Sequence, residues 1–328
     1  IVRFYLKFLI CIFDAVFKIK KTALNTIQNS FTAKSLYVDF KEITKAGLSV
    51  SVVFSSIAGY FLGILDISSF SWITLFMLAV GGYCMVGASN AFNQIIEKDL
   101  DKLMDRTKNR PIAAGRISVN TGFIIASALT LLGLIILYNI NPKTAMFGAV
   151  SIFLYTSIYT PLKTVTPLSV FVGAIPGAIP FMLGWVAATD EFSLEAGTLF
   201  LIQFFWQFPH FWAIGWFLFD DYKKAGFFML PTGKKDKGTA LQTILYTIWL
   251  IIASLLPAIF PYIGIVGSRL YLSPISAIIV FLLGIWMLYY AFELYKKRDS
   301  KAARKLMLVS VSYITLLQLV YIADKFLR

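Results

Sequence analysis

The sequence predicts an all-α polytopic membrane protein with nine transmembrane helices, and three observations carry that prediction. The 328 residues are 58% hydrophobic and 14% charged, with a mean hydropathy of +0.76, whereas soluble domains run at about 45–50% apolar and about 25% charged. Nine apolar segments separate cleanly, each near the ~20 residues that a ~30 Å hydrocarbon layer requires. Lys and Arg concentrate in alternate connections. An ordinary water-soluble domain is excluded, and the net charge of +13 reports orientation rather than nucleic-acid binding.

Each segment must be helical, because hydrocarbon cannot satisfy open backbone groups. The first spans 46–66, and the second, 69–93, runs into an acid-rich connection. The third, 118–139, follows a turn-prone stretch with Pro111 and Gly115. The fourth, 143–160, ends in "YTPLK", the fifth, 167–188, is Gly/Pro-rich, and the sixth, 195–219, is crowded with aromatics. The last three span 239–261, 272–294 and 304–324.

Eight Lys and Arg precede the first segment, with six in the second connection, one in the fourth, five in the sixth and six in the eighth. Against these 26, the other side carries four: Lys143, Arg269, Lys325 and Arg328. The split places the N-terminus and the even-numbered connections in the cytoplasm, or in the matrix of a mitochondrion. A bacterial plasma membrane is the expected location, and an odd helix count leaves the C-terminus outside.

Two domains are expected: an N-terminal extension over 1–40 and one intramembrane domain over 41–328. "FYLKFLICIFDAVF" is too short to span and has no small-residue cleavage site. An interfacial helix, an early start codon and a targeting extension all remain open for it. Cys11 and Cys84 form no C-x-x-C pair, so neither a disulfide framework nor a zinc site is expected.

The second connection reads "NAFNQIIEKDLDKLMDRTKNRPIAAG" and holds Glu97, Asp99, Asp101 and Asp105 within nine residues. Asn93, Glu97, Asp101 and Asp105 are four apart, so on a continuing helix each step rotates about 40° and climbs about 6 Å. Asn93, Glu97 and Asp101 then share a stripe, while Asp99 faces elsewhere, toward Lys98 or Lys102. Like charges at i and i+4 are mutually destabilising, so the stripe points to a cation held between them. Hard oxygen ligands mean Mg²⁺, which keeps waters and bridges one or two carboxylates to substrate phosphates. Arg106, Lys108 and Arg110 follow immediately and complement the outer oxygens of a diphosphate. The bland alternative is a basic loop with surface ion pairs, each worth about 0–1 kcal/mol.

Two more constellations lie on the same side. Tyr159 and Lys163 are four apart at the end of the fourth segment, suiting a phosphate contact as well as a snorkelling Lys. The sixth segment ends with Asp220, Asp221, Tyr222, Lys223 and Lys224, a second carboxylate pair that faces the first. His210, the only histidine, falls about ten residues, or some 15 Å of helix, below Asp220. An ionisable group at that depth is a functional candidate, though an interhelical hydrogen bond would also explain it. Trp206, Phe208, Phe211, Trp212 and Trp216 around it suit packing or a large flat aromatic ligand. Acidic and basic side chains above an apolar aromatic cavity specify a substrate with a charged head and a greasy tail, as in an isoprenyl diphosphate.

These residues resemble the UbiA-type intramembrane prenyltransferases, and within them the branch that prenylates heme, over about residues 38–325. The family pattern N-x-x-x-D-x-x-x-D is similar to Asn93, Glu97 and Asp101, followed by "MDRTKNRP". Y-x-x-x-K matches Tyr159 and Lys163. "GAIPGAIPFMLGW" and "PHFWAIGW…DDYKKAGFFMLP" resemble the heme-directed branch. The resemblance implies a nine-helix bundle that transfers the farnesyl group of farnesyl diphosphate to the 2-vinyl group of heme B. Water completes the side chain, giving heme O and diphosphate.

It also implies Mg²⁺ on Glu97 and Asp101, with Asp105 and Asp221 as further ligands, and Asn93 orienting the site. Diphosphate and headgroup contacts fall to Arg106, Lys108, Arg110, Tyr159, Lys163, Asp220 and Lys224. His210 takes a heme-side role, as axial ligand or propionate contact. Heme A synthase or terminal-oxidase assembly proteins are implied partners. Glu97 departs from the pattern's Asp, and the vicinal Asp220–Asp221 departs from D-x-x-x-D. Two rivals are a prenyltransferase acting on a quinone precursor or chlorophyllide, and a secondary transporter. Transporters place their sites near the midplane, whereas these charges gather at one face.

Overall fold

The computed structural model describes residues 33–265 and 267–327, and residues from 43 onward form one compact unit. Of the expected 1–40 extension, residues 1–32 lie outside the described residues, and the helix Ala33–Ile43 follows.

Nine long helices build the unit. They are α1 (Ala46–Gly63), α2 (Trp72–Ile96), α3 (Val119–Tyr138), α4 (Pro142–Leu162), α5 (Ser169–Thr189), α6 (Leu194–Phe217), α7 (Lys237–Ile259), α8 (Pro274–Lys297) and α9 (Ser300–Leu327). No strand occurs among the described residues. The helices begin where side chains can satisfy the first free N–H groups. Ser71, Ser118, Asn141, Asp236 and Ser273 each accept a hydrogen bond from the backbone N–H three residues on.

All nine expected segments are helical, but eight rather than nine are long and apolar enough to cross a membrane. The exception is α6, which has sufficient length at 24 residues. Gln203, Gln207 and His210 dilute its hydropathy, and all three line an internal cavity. Polar groups on that wall do not meet lipid, so apolar length and composition underrate a helix that forms one wall of the cavity.

The helices pack closely: α1 on α2 and α5, α2 on α3, α5 on α6, α6 on α7 and α9, and α8 on both α7 and α9. The tightest approach is between α1 and α5. Gly59 and Gly63 are four apart on α1 and meet Gly184 and Trp185 of α5, the small-residue spacing that lets membrane helices touch backbone to backbone. A Cβ on Gly59 would stand 2.0 Å from the Phe181 carbonyl oxygen, and one on Gly184 would stand 1.8 Å from that of Ser56.

Prolines inside α5 and α6 free backbone carbonyls, and in α5 a polar neighbour takes one up. Pro180 cannot donate to the carbonyl of Pro176, and Ser151 Oγ donates to that oxygen at 3.3 Å.

Gly184→Val should separate α1 from α5 at a cost of about 1–3 kcal/mol for overpacking. The expected result is a lower Tm of the detergent-solubilised protein, read by thermal unfolding.

Candidate active site

Six helices, α1, α2, α4, α5, α6 and α9, surround a cavity of about 600 Å³, within the ~300–1,000 Å³ typical of ligand pockets. Its apolar wall includes Val52, Val86, Phe211 and Ile214, while its charged residues are Lys45, Glu97, Arg106, Arg110 and Lys163.

The charged end is set by where α2 stops. The helix breaks at Glu97, which sits at φ −92° and ψ 9°, and a four-residue helix, Lys98–Asp101, follows. Asn93, Glu97 and Asp101 are buried as a group, as the four-residue spacing predicts. Asp99 turns away to pair with Lys102 at 2.8 Å. Beyond Lys102 the chain coils through turns to residue 117, so Asp105 leaves the stripe.

Every carboxylate here has a cation on it. Lys163 Nζ donates to Glu97 Oε1 at 2.8 Å, and both groups are nearly buried. Arg110 Nη1 donates to both oxygens of Asp101 at 2.8 Å, and Thr107 Oγ1 donates to the Asp101 carbonyl at 2.9 Å. Burial pushes the Asp101 carboxyl above the usual range against the opposing pull of Arg110. For Lys163, burial opposes the charge, and Glu97 more than compensates, leaving its pKa raised.

Lys163 is aimed by irregular backbone. α4 ends through a π-helical turn, Leu154–Tyr159, then Thr160–Leu162, a local widening common at functional sites. Tyr155 and Tyr159 both reach the cavity wall, and Lys163 Nζ lies 4.5 Å from the Tyr159 ring centroid. Asn93 Nδ2 donates to Thr160 Oγ1 at 3.4 Å, joining α2 to this turn.

The second acidic pair divides. Asp221 does face the first motif: its carboxylate accepts the backbone N–H of Asp105 at 2.8 Å and of Arg106 at 3.3 Å. Asp220 points to Lys235 at 3.1 Å and is 85% exposed. Asp105 pairs with Lys108 at 2.9 Å and with Lys224, and these two cations lower its carboxyl to about 2.

Of the residues expected at the site, Asn93, Glu97, Arg106, Arg110, Tyr159, Lys163 and His210 line the cavity. Asp101 stands behind Arg110. Asp105, Lys108, Asp220, Asp221 and Lys224 lie off the wall, where Asp221 fixes the loop that presents Arg106. Among the aromatics near His210, Trp206 and Phe211 face the cavity, whereas Phe208, Trp212 and Trp216 are buried in the core.

Lys45 was missed. It lies on the cavity wall, adopts a left-handed backbone with φ 46° and donates to Asn93 Oδ1 at 3.5 Å. Burial first, then Arg110 and Lys163, hold it well below the ordinary lysine range. In the sequence it is the last cation before an apolar segment, which looks the same as a snorkelling anchor. Tyr155 was also passed over, although it sits four residues before Tyr159.

Four cations and one carboxylate at the mouth of an apolar hollow describe a protein that binds a lipid-linked anion inside the membrane. The profile of the UbiA prenyltransferase family matches residues 52–316. A protein named protoheme IX farnesyltransferase from Flavobacterium johnsoniae is 70% identical over 305 residues, 93% of this chain and 100% of that one. A protein of the same name from Flavobacterium psychrophilum is 71% identical over 307 residues, covering 94% and 100%. The fold matches a solved digeranylgeranylglyceryl phosphate synthase with a TM-score of 0.70 at 17% identity, over 89% of this chain and 99% of that one. An Archaeoglobus fulgidus UbiA homologue bound to GPP and Mg²⁺ matches with a TM-score of 0.60 at 16% identity, covering 87% and 99%. The chain belongs to the UbiA prenyltransferase family.

Lys163→Met leaves Glu97 buried without its partner, a change that costs about 3–5 kcal/mol. The Tm should fall for the single variant and largely recover in Glu97→Gln/Lys163→Met, while diphosphate-dependent turnover is lost in both. Thermal unfolding of the three proteins without substrate checks the stability part, and a turnover assay checks the rest.

Proposed function

We infer that this chain transfers the farnesyl group of farnesyl diphosphate to the 2-vinyl group of heme B, giving heme O and diphosphate. The carrying observation is the charge excess of Lys45, Arg106, Arg110 and Lys163 over Glu97 at the mouth of a 600 Å³ cavity whose walls are apolar. The protoheme IX farnesyltransferases that it resembles at about 70% identity supply the acceptor. The cationic mouth would serve a quinone-directed prenyltransferase equally well, so the choice of heme as acceptor rests on the likeness to these relatives.

The donor set suits Mg²⁺. Glu97 and Asn93 offer oxygens at the cavity wall, with Asp101 one turn on. Among the described residues no three His, Cys, Asp or Glu side chains form a cage, which fits an ion that completes its shell with phosphate oxygens and water. Glu97 and Asp101 would hold the ion, and the exposed Asp105 and loop-fixing Asp221 would support them from outside. When bound, Mg²⁺ neutralises charge on the departing diphosphate.

The chain's own residues then divide the work. Lys45, Lys163, Arg106 and Arg110 hold the diphosphate; at 4 Å and an effective dielectric of 20, each unit-charge pair is worth about 4 kcal/mol. The C1–O bond of farnesyl diphosphate breaks and its electron pair leaves with the diphosphate. The vinyl carbon of heme attacks C1, and water adds to the neighbouring cationic carbon with loss of a proton. The rings of Tyr155 and Tyr159 stand beside the reacting end, and the apolar wall takes the prenyl tail. The bacterial relatives support a bacterial plasma membrane as its place, and the Lys and Arg distribution supports this face being cytoplasmic.

Membranes from cells expressing the chain, given farnesyl diphosphate and heme B, should yield heme O by chromatography and mass spectrometry. Asp101→Asn, which leaves Arg110 against a neutral partner, should insert normally and lose product at least tenfold. Chelator should stop turnover, and added Mg²⁺ should restore it. Full turnover in excess chelator would contradict the reading.

A further inference from the structure

Gln207 of α6 lines the cavity and is 2% exposed. Its Nε2 donates to the Ala174 carbonyl of α5 at 2.8 Å and to the Gln203 carbonyl at 3.3 Å. Backbone carbonyls only accept, so turning the amide round would set oxygen against oxygen, and its orientation is fixed. Oε1 therefore points away from both carbonyls, toward Gly177, where an added Cβ would stand 2.0 Å from it. Among the described residues no hydrogen bond reaches this oxygen, and it is not sealed in the core, so it opens on the cavity. A buried acceptor without a donor is costly, and a ligand that donates to it would offset that cost.

The position is close to the reacting end. Gly173 packs on the Tyr159 ring, which a Cβ there would meet at 2.6 Å, and Lys163 Nζ lies over that ring. Gly177 is four residues further along α5, about 6 Å of rise, so Gln207 Oε1 stands below the diphosphate groups, where a prenyl carbon attached to that diphosphate would lie. Of the reactants, water is the one that can donate to it. The prenyl chain has no polar hydrogen, the diphosphate and the carboxylates are acceptors when ionised, and the pyrrole nitrogens of heme hold iron. A water inside a protein needs about two to four polar partners. Gln203 offers another one turn along α6 on the same wall: its Oε1 accepts from Gln318 Nε2 at 3.5 Å, and its own Nε2 has no partner among the described residues.

We propose that Gln207 holds and orients the water added in the reaction, its Oε1 accepting one of the water's hydrogens and turning the oxygen lone pair toward the cation. This rests on heme being the acceptor. Once the prenyl C1 has bonded to the outer vinyl carbon, the inner vinyl carbon is cationic. The water's lone pair forms the C–O bond there, one hydrogen stays as the hydroxyl, and the other leaves as a proton taken up by the departing diphosphate. Without a held water, the same cation loses a proton from the neighbouring CH₂ to the diphosphate and becomes an alkene. Gln207 thus decides between a hydroxylated product and one lighter by a single water.

Membranes carrying the full chain, given farnesyl diphosphate and heme B, supply the test, with hydrated and dehydrated farnesylated heme separated by chromatography and weighed by mass spectrometry. Gln207→Leu removes the acceptor, and Gly177→Ala keeps the amide but displaces its oxygen. In both, the ratio of hydrated to dehydrated product should fall about 5-fold or more, the effect of losing one hydrogen bond, whatever the total yield. Poorer folding or weaker substrate binding lowers both products together and leaves the ratio alone. A wild-type ratio in either variant, or no farnesylated heme from both, would overturn the proposal. So would weaker heme binding in Gln207→Leu that disappears with heme dimethyl ester while the ratio is unchanged, which would assign the oxygen to a protonated carboxyl group of the acceptor. Absence of farnesylated heme from the wild type would overturn the parent reading instead.

Discussion

Uncompensated positive charge at the mouth of an apolar cavity is the constraint on which the rest of this structure depends. Lys163 and Glu97 form a nearly buried pair, and Asp101 is fully covered by Arg110. Desolvating such pairs costs several kcal/mol per ion before their attraction repays it. After pairing, Lys45 and Arg106 remain on the same wall, and burial already disfavours the charged form of Lys45. A dianionic head entering here would meet charges that the protein holds at a cost in its absence, so binding returns part of that cost. In the structure the carboxylates are paired with cations; on the proposed reading, a diphosphate that draws those cations toward itself would free them to hold a divalent ion.

The fold supplies this arrangement by placing irregular backbone where the cavity needs it. α2 breaks at Glu97, α4 widens into a π-helical turn before Lys163, and Lys45 takes a left-handed conformation just ahead of α1. Each is a place where a regular helix would have carried its side chain past the pocket. The tight α1–α5 crossing at Gly59 and Gly184 is the rigid counterpart, since it fixes two walls of the cavity against each other.

Much of this was legible in the sequence because membrane helices obey few rules. Apolar length located all nine helices, and four-residue spacing put Asn93, Glu97 and Asp101 together. Elsewhere the pattern misled for physical reasons. Asp105 continues the spacing but not the helix, because the chain turns after Lys102. Asp220 and Asp221 look equivalent, yet the short helix Phe219–Lys224 aims only one at the neighbouring loop. Lys45 was hidden because a place on the cavity wall cannot be read from a charge at the end of an apolar run. α6 fell short of the apolar standard for the same reason that it matters: its polar side chains face inward.

Calorimetric titration with farnesyl diphosphate and with farnesol, in the presence of Mg²⁺, tests the central claim most directly. The two ligands share a tail and differ only in the charged head. The diphosphate should bind at least about 100-fold more tightly, a difference of about 2.7 kcal/mol, and Lys45→Met with Lys163→Met should erase most of that margin. Equal affinities for the two ligands in the wild-type protein would mean that the cationic mouth does not hold the substrate, and the account would fail at its first step.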